Sequence, residues 1–131
     1  MSKRILITGG AGFIGSHLTD ELIAHGYAVR ILDSLARQVH GDRAGRPEYL
    51  DGRAELVVGD VRDRSAVENA LDGVEAVVHL AAAVGVGQSM YQIREYVDVN
   101  AVGTAVLLEA IAKRPVRKLV VASSMSIYGE G

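Results

Sequence analysis

Three glycines spaced three apart, Gly9, Gly12 and Gly15, fall between a short apolar run at 4–8 and an apolar, amphipathic stretch that follows at once. Strand, glycine turn and helix in that order make such a triplet a cradle for a dinucleotide diphosphate. Each glycine has its own task. Gly9 leaves the strand in a turn that a side chain would crowd. Gly12 removes a Cβ where a diphosphate must meet the backbone, and Gly15 lets the helix pack closely on the sheet. The N–H groups that open the helix, those of Phe13 and Ile14 among them, then face the phosphates with the positive helix end behind them. No basic side chain lies between Thr8 and Ser16, and none is required. The alternative is a tight turn without a ligand, and the flanking strand and helix speak against it.

Other residues gather at strand ends. Asp33, with Ser34 beside it, closes a second apolar run beyond the glycine turn. A carboxylate there accepts hydrogen bonds from the adenosine ribose hydroxyls and repels a 2′-phosphate, which favours NAD over NADP. Arg37 stands close enough to serve a 2′-phosphate and complicates that choice. Asp60 and Val61 end the third run, where an Asp can reach an adenine amino group and a Val can cover the ring. A plain helix entry is an equal reading. Leu80, Ala81 and Ala82 are small enough to leave room for a cofactor after the fourth run. His79, just before them, reads as a satisfied structural histidine rather than a catalyst. It has no metal-type spacing partner, nor has His17, so no metal site is expected. Ser123 and Ser124 end the fifth run, where a hydroxyl could hold a substrate oxygen. From position alone an ordinary polar strand end is the stronger reading.

These residues need a frame. The 131 residues make one domain, with apolar residues at 49%, enough for a real core. Fourteen basic and 16 acidic residues leave the chain near neutrality, which argues for neither nucleic acid nor an anionic membrane as partner. No apolar run is long enough to span a bilayer. Without cysteine there are no disulfides, and the compartment expected by default is the cytoplasm. Strand and helix alternate throughout. Strands are expected at 4–8, 28–32, 54–58, 75–80 and 118–122. The first helix carries the stripe Ile14, Leu18, Leu22 and stops at Gly26. Residues 34–53 read as a polar loop with at most one helical turn. Asp63 is a fair N-cap for a helix with Ala66, Val67, Ala70 and Leu71 inward. Residues 81–89 read as a small-residue loop. A long helix is expected from about 91 to 114, its stripe Val97, Ala101, Ala105, Leu108 and Ala112, stopped by Pro115. The strands are nearly continuous apolar runs, as strands covered by helices on both faces are. Right-handed crossovers then give an α/β, doubly wound parallel sheet in the order 3-2-1-4-5.

Taken together, TGGAGFIG, the Asp33 strand end, GDVRD, HLAA, the Asn100-x-x-Gly-Thr104 segment and ASSMSIYG resemble, in order and spacing, the N-terminal half of an extended short-chain dehydrogenase/reductase. The resemblance is to the NAD-dependent sugar-nucleotide epimerase/dehydratase group. It implies a Rossmann domain over 1–131 that binds NAD, with the substrate domain absent from this chain. It implies that Ser124, four before Tyr128, is the catalytic Ser/Thr, and that Asn100 and Ser123 belong to the cofactor region. The implied reaction takes hydride from a sugar carbon, most plausibly C4, and returns it to the other face of a transient keto sugar. A tyrosinate acts as base and a lysine lowers its pKa. That Tyr-x-x-x-Lys pair does not occur in these residues: Lys3, Lys113 and Lys118 are the only lysines, and none follows a tyrosine by four. The 131 residues alone are therefore expected to be inactive.

Met125-Ser126 stands where related dehydratases carry Asp-Glu, so epimerisation or reduction is favoured over dehydration. The loop 84–89 resembles loops bordering the sugar, with Ser89 a candidate substrate contact, and Val84 stands where some 4-epimerases place a phosphate-binding lysine. The implied partners are a nucleotide sugar and a second copy of the chain, through the helix after strand four and one after strand five. A non-catalytic NAD(P)-binding sensor is the competing class, and Ser124 argues against it. Nucleic-acid binding through Arg37, Arg43, Arg46 and Arg53 is weak, because Asp42, Glu48, Asp51 and Glu55 interleave with them.

Overall fold

The computed structural model describes residues 3–41 and 45–130. Met1, Ser2, Ala44 and Gly131 lie outside the described residues, as do Asp42 and Arg43 of the charged loop. Five strands form one sheet: β1 Arg4–Thr8, β2 Ala28–Asp33, β3 Glu55–Val58, β4 Ala76–His79 and β5 Lys118–Val121. All neighbours are parallel, and the spatial order is β3-β2-β1-β4-β5. This is the expected doubly wound arrangement. Its switch point lies between β1 and β4, where successive crossovers depart to opposite sides and leave a crevice at the carboxyl ends.

The helices are α1 Phe13–Ala24, α2 Arg37–His40, α3 Arg64–Ala70, α4 Val86–Ser89, α5 Ile93–Tyr96 and α6 Gly103–Lys113. A π-helical turn, Val97–Val102, joins α5 to α6 without leaving helical dihedrals. Strand periodicity divides the core in two. Ile5, Ile7, Val29 and Ile31 face α1 and meet its Leu18, Leu22 and Ile23. Leu6, Leu32 and Val77 face the other way and meet Val67 and Ala70 of α3 and Leu107 and Ala110 of α6. Asp63 caps α3 as expected, accepting from the Ser65 and Ala66 amides. Arg30 is the polar exception within β2. It is 8% exposed. Its Nη1 donates to the Ala70 and Asp72 carbonyls at 2.8 and 2.7 Å, and its Nε donates to Glu55 at 2.8 Å. The guanidinium thus satisfies carbonyls at the C-terminal end of α3, where the helix dipole favours a cation.

Four expectations need correction. In α1, Ile14 is exposed, and the face turned fully inward is Gly15, Ser16 and Thr19. The hydroxyls of that face can be buried because Ser16 donates to the Phe13 carbonyl and Thr19 to the Gly15 carbonyl. In the long helix the stripe Val97, Ala101, Ala105, Leu108, Ala112 faces outward, and Gly103, Leu107 and Ala110 are buried instead. That helix is apolar on two sides, and Gly103 selects the inner one: a Cβ there would come within 2.8 Å of Val61. The loop at 81–89 contains a short helix, α4. Coverage on both faces holds for β1 and β2, but β3 and β5 are the sheet edges and are largely exposed.

Candidate functional site

The carboxyl ends of β1, β2 and β4 open into a cleft of about 1000 Å³, at the upper end of small-molecule sites. Gly9, Gly12, Phe13, Ile14 and Gly15 form its floor. Gly9 has φ +67°, and a Cβ there would lie 2.8 Å from the Ala81 amide nitrogen, so both conformation and space demand glycine. At Gly15 a Cβ would lie 2.5 Å from Gly10 Cα. The helix therefore closes on the turn itself, a refinement of the expected contact with the sheet. Gly12 differs from both. Its dihedrals are ordinary extended ones, and a Cβ would meet only the Gly9 carbonyl, at 3.3 Å. Glycine at this position keeps the cleft floor low.

Gly12 is also the N-cap of α1 and offers no side-chain cap. Ser16 N–H donates to the Gly12 carbonyl at 2.9 Å. Among the described residues the amides of Phe13, Ile14 and Gly15 have no acceptor. Their side chains do not shield them, since Phe13 and Ile14 are 80% and 67% exposed. Uncapped N–H groups on a cleft floor, at the positive end of a 12-residue helix, are a seat for an anion.

Asp33 stands at the second wall. It is almost buried, and its two oxygens accept from Ala11 N–H at 3.0 Å and from Leu35 N–H at 2.8 Å. Each oxygen keeps lone-pair capacity for a further donor. Leu35 has φ +54°, a left-handed conformation costing a leucine about 1 kcal/mol, and its bond to Asp33 holds the bend. Ser34 lines the cleft beside Asp33.

Asp60 lines the third wall and is bound by Arg62 through side-chain bonds of 2.6–3.1 Å. The Arg62 guanidinium, bonded to it, holds the Asp60 carboxyl below the usual carboxylate range. Val61 contributes to the wall while its side chain, 5% exposed, packs into the core.

Leu80, Ala81 and Ala82 form the wall opposite Gly9, and a buried relay fixes them. Thr104 donates its hydroxyl proton to the Asn100 carbonyl at 2.6 Å, so it must accept from His79 Nε2–H at 2.9 Å. His79 Nδ1 is then the acceptor for the Thr8 hydroxyl at 2.6 Å. Thr8 Oγ1 in turn accepts from the Leu80 and Ala81 amides at 3.1 and 3.2 Å. His79 is thus a structural histidine, and burial pushes its pKa down. The sign for stability follows. The unfolded chain protonates this group at ~6.5 while the folded one resists. Its contribution is full above that value and is lost as pH falls towards the lowered folded value. Urea midpoints between pH 7.5 and 5 should fall with pH in the wild type, and the His79→Gln variant should show a shallower slope. Equal slopes would remove His79 from the account.

The remaining expected residues do not share the cleft. Asn100 clamps the Ala83 backbone in both directions, Oδ1 accepting at 2.8 Å and Nδ2 donating at 3.1 Å. It fixes Ala83, a lining residue, without lining the cleft itself. The Ser89 hydroxyl donates to the Val86 carbonyl at 2.6 Å, away from the cleft lining. Ser123 and Ser124 are exposed, just past Ala122, which is the cleft residue of that strand end. Ser124 Oγ accepts from Ser126 N–H at 3.1 Å, which leaves its own proton to donate. Sequence reasoning missed Gly10, whose Cβ would fall 2.9 Å from Ile31 Cγ1. It also missed His40 and the segment 91–96, both in the lining. The double glycine was the available signal for the first. His40 falls in the expected polar loop, which has no periodicity, and 91–96 falls in the expected long helix ahead of its apolar stripe.

A crevice of this make, floored by helix amides and walled by a carboxylate, belongs to the Rossmann class of dinucleotide-binding domains. The sequence model of the NAD dependent epimerase/dehydratase family matches residues 5–131, and the chain belongs to that family. It is similar to a dTDP-L-rhamnose 4-epimerase of Burkholderia thailandensis, 42% identical over 98% of this chain and 36% of that one. A UDP-glucose 4-epimerase of Yersinia pestis is 38% identical over 96% of this chain and 38% of its own. Among solved structures, the UDP-glucose 4-epimerase of Thermotoga maritima with UDP-glucose superposes with a TM-score of 0.85 at 36% identity, over 98% of this chain and 40% of that one. The Thermus thermophilus UDP-glucose 4-epimerase complex with NAD gives 0.81 at 38% identity, over 92% and 37%. The chain therefore spans less than half the length of the relatives it matches. Among the described residues no helix is long and apolar enough to cross a membrane.

Proposed function

We propose that this chain is the coenzyme-binding portion of an NAD-dependent nucleotide-sugar 4-epimerase. The observation that carries the reading is the floor of the cleft: unpaired amides at the start of α1, reached over a glycine whose Cβ would touch a single protein atom, the Gly9 carbonyl oxygen at 3.3 Å. Phe13, Ile14 and Gly15 N–H groups bind the diphosphate, and Gly12 gives it room. Asp33, with Ser34 beside it, receives the adenosine ribose. Asp60 and Val61 border the adenine, and Leu80, Ala81 and Ala82 flank the path to the reacting end. Bound there, NAD supplies a hydride acceptor that can return the hydride. Ser124, its Oγ already accepting from Ser126, donates a hydrogen bond to the sugar oxygen at the reacting carbon and keeps its proton. Ser123, Asn100 and Ser89 keep the supporting and substrate roles that the family resemblance implies. That both dTDP- and UDP-sugar 4-epimerases are among the similar proteins supports the nucleotide-sugar class. The cytoplasmic compartment goes with that reading. The outward face of α5–α6, with Val97, Ala101, Ala105, Leu108 and Ala112, supports pairing with a second copy of the chain.

The direct test is titration of the purified chain with NAD and NADP. NAD should bind more tightly. In Asp33→Asn, loss of a charge-assisted acceptor should weaken NAD by about tenfold to a hundredfold and narrow the gap to NADP. Unchanged NAD affinity in that variant would remove Asp33 from the site.

A further inference from the structure

The coenzyme reading does not use His40, which lies at the ribose end beside Asp33. His40, the last residue of α2, has a side chain only 9% exposed and lines the cleft. Its Nε2 lies 3.7 Å from Asp33 Oδ1. Its Nδ1 lies 3.5 Å from the Tyr49 hydroxyl, and that hydroxyl donates to the Ala11 carbonyl. Ala11 closes the circuit through its N–H, which donates to Asp33 Oδ2 at 3.0 Å. The glycine turn, the end of β2, α2 and the segment before β3 are joined here by four residues.

Donor and acceptor bookkeeping gives the circuit a chemical purpose. A separation of 3.7 Å is too long for a hydrogen bond between His40 and Asp33. The carboxylate favours the tautomer with hydrogen on Nε2. The Tyr49 proton is committed to the Ala11 carbonyl, so the Tyr49 hydroxyl packs beside Nδ1 at 3.5 Å without donating to it. Burial, and then the charge of Asp33, push the Tyr49 phenol up, which keeps that proton in place. At the cleft wall this leaves an N–H donor and a carboxylate acceptor side by side, not bonded to each other. A hydroxyl oxygen satisfies both, because it accepts and donates at once. A phosphate monoester at the same place has no proton for Asp33 and adds charge against it.

We propose that His40 is a coenzyme-binding residue, donating Nε2–H to the adenosine 2′-hydroxyl that donates to Asp33, with Tyr49 the positioning residue that holds the imidazole against the glycine turn. The inference rests on the NAD reading and extends it to a residue outside the glycine motif and its acidic partner. It makes selection for the 2′-hydroxyl a property of a pair rather than of Asp33 alone.

The test compares NAD with its 2′-deoxyadenosine analogue by calorimetry on the purified chain. His40→Phe keeps volume and removes the donor. It should weaken NAD by about tenfold and leave the 2′-deoxy analogue nearly unchanged. His40→Gln, which restores an N–H, should recover part of the loss on NAD alone. Equal losses on both ligands would show that His40 merely holds the loop, and no loss on NAD would dismiss it. Either result overturns the assignment while leaving the coenzyme reading intact. A wild-type chain that binds no NAD would overturn both. One readout needs no variant: the His40 imidazole nitrogen resonances should shift with NAD and stay still with the 2′-deoxy analogue. Resonances indifferent to the 2′-hydroxyl would overturn the proposal.

Discussion

The Gly12→Val variant should fold like the wild type and lose NAD affinity by about a hundredfold. The two halves of that result have separate causes. Folding tolerates the change because Gly12 is extended, at φ −78° and ψ −174°, a conformation valine adopts. A Cβ meets one protein atom, the Gly9 carbonyl oxygen at 3.3 Å, and that contact can relax by a few tenths of an ångström. Binding does not tolerate it, because a branched side chain would stand over the Phe13 and Ile14 amides. The check is a pair of measurements, urea midpoint and NAD titration. An unchanged NAD affinity would mean that the diphosphate lies elsewhere.

Gly15→Ala should behave in the opposite way. One methyl there would lie 2.5 Å from Gly10 Cα and 2.7 Å from Gly10 C and O, all backbone atoms that cannot swing aside. Helix α1 must lift from the turn, and the contacts of Leu18, Leu22 and Ile23 with the Ile5–Ile31 core go with it. Overpacking against rigid backbone costs about 3 kcal/mol or more, a large share of a small domain's stability. A lowered urea midpoint is the readout, and a midpoint within error of the wild type would refute the close approach. The two glycines thus separate function from fold within one motif. On the proposed reading Gly12 serves the ligand, while the close approach at Gly15 serves the packing.

Much of this was legible in the sequence because it follows from local rules. Continuous apolar runs separated by glycine stops gave the strands to within a residue or so, and right-handed crossovers gave their order. The glycine triplet, Asp33 and the residues after β4 converge on one cleft because parallel topology brings strand ends together. What could not be read depends on contacts distant in sequence. The long helix carries apolar residues on two sides, and periodicity cannot say which side meets Val61. Ile14 belongs to a helical stripe by spacing, yet its position on the cleft floor leaves it outside the core. Arg30 sits within an apolar run, and its partners, the Ala70 carbonyl at the end of α3 and the Asp72 carbonyl just beyond it, are 40 and 42 positions away. His40 and Tyr49 fall in a stretch without periodicity and acquire meaning only when Ala11 and Asp33 lie beside them.

The central claim is that the opening amides of α1 hold the coenzyme diphosphate. Amide proton–nitrogen correlation spectra of the 15N-labelled chain, recorded during NAD titration, test it at the atoms concerned. The account predicts that Phe13, Ile14 and Gly15 show the largest downfield proton shifts of the spectrum, as amides do on gaining an anionic acceptor. Saturable NAD binding that leaves those three resonances in place would contradict it.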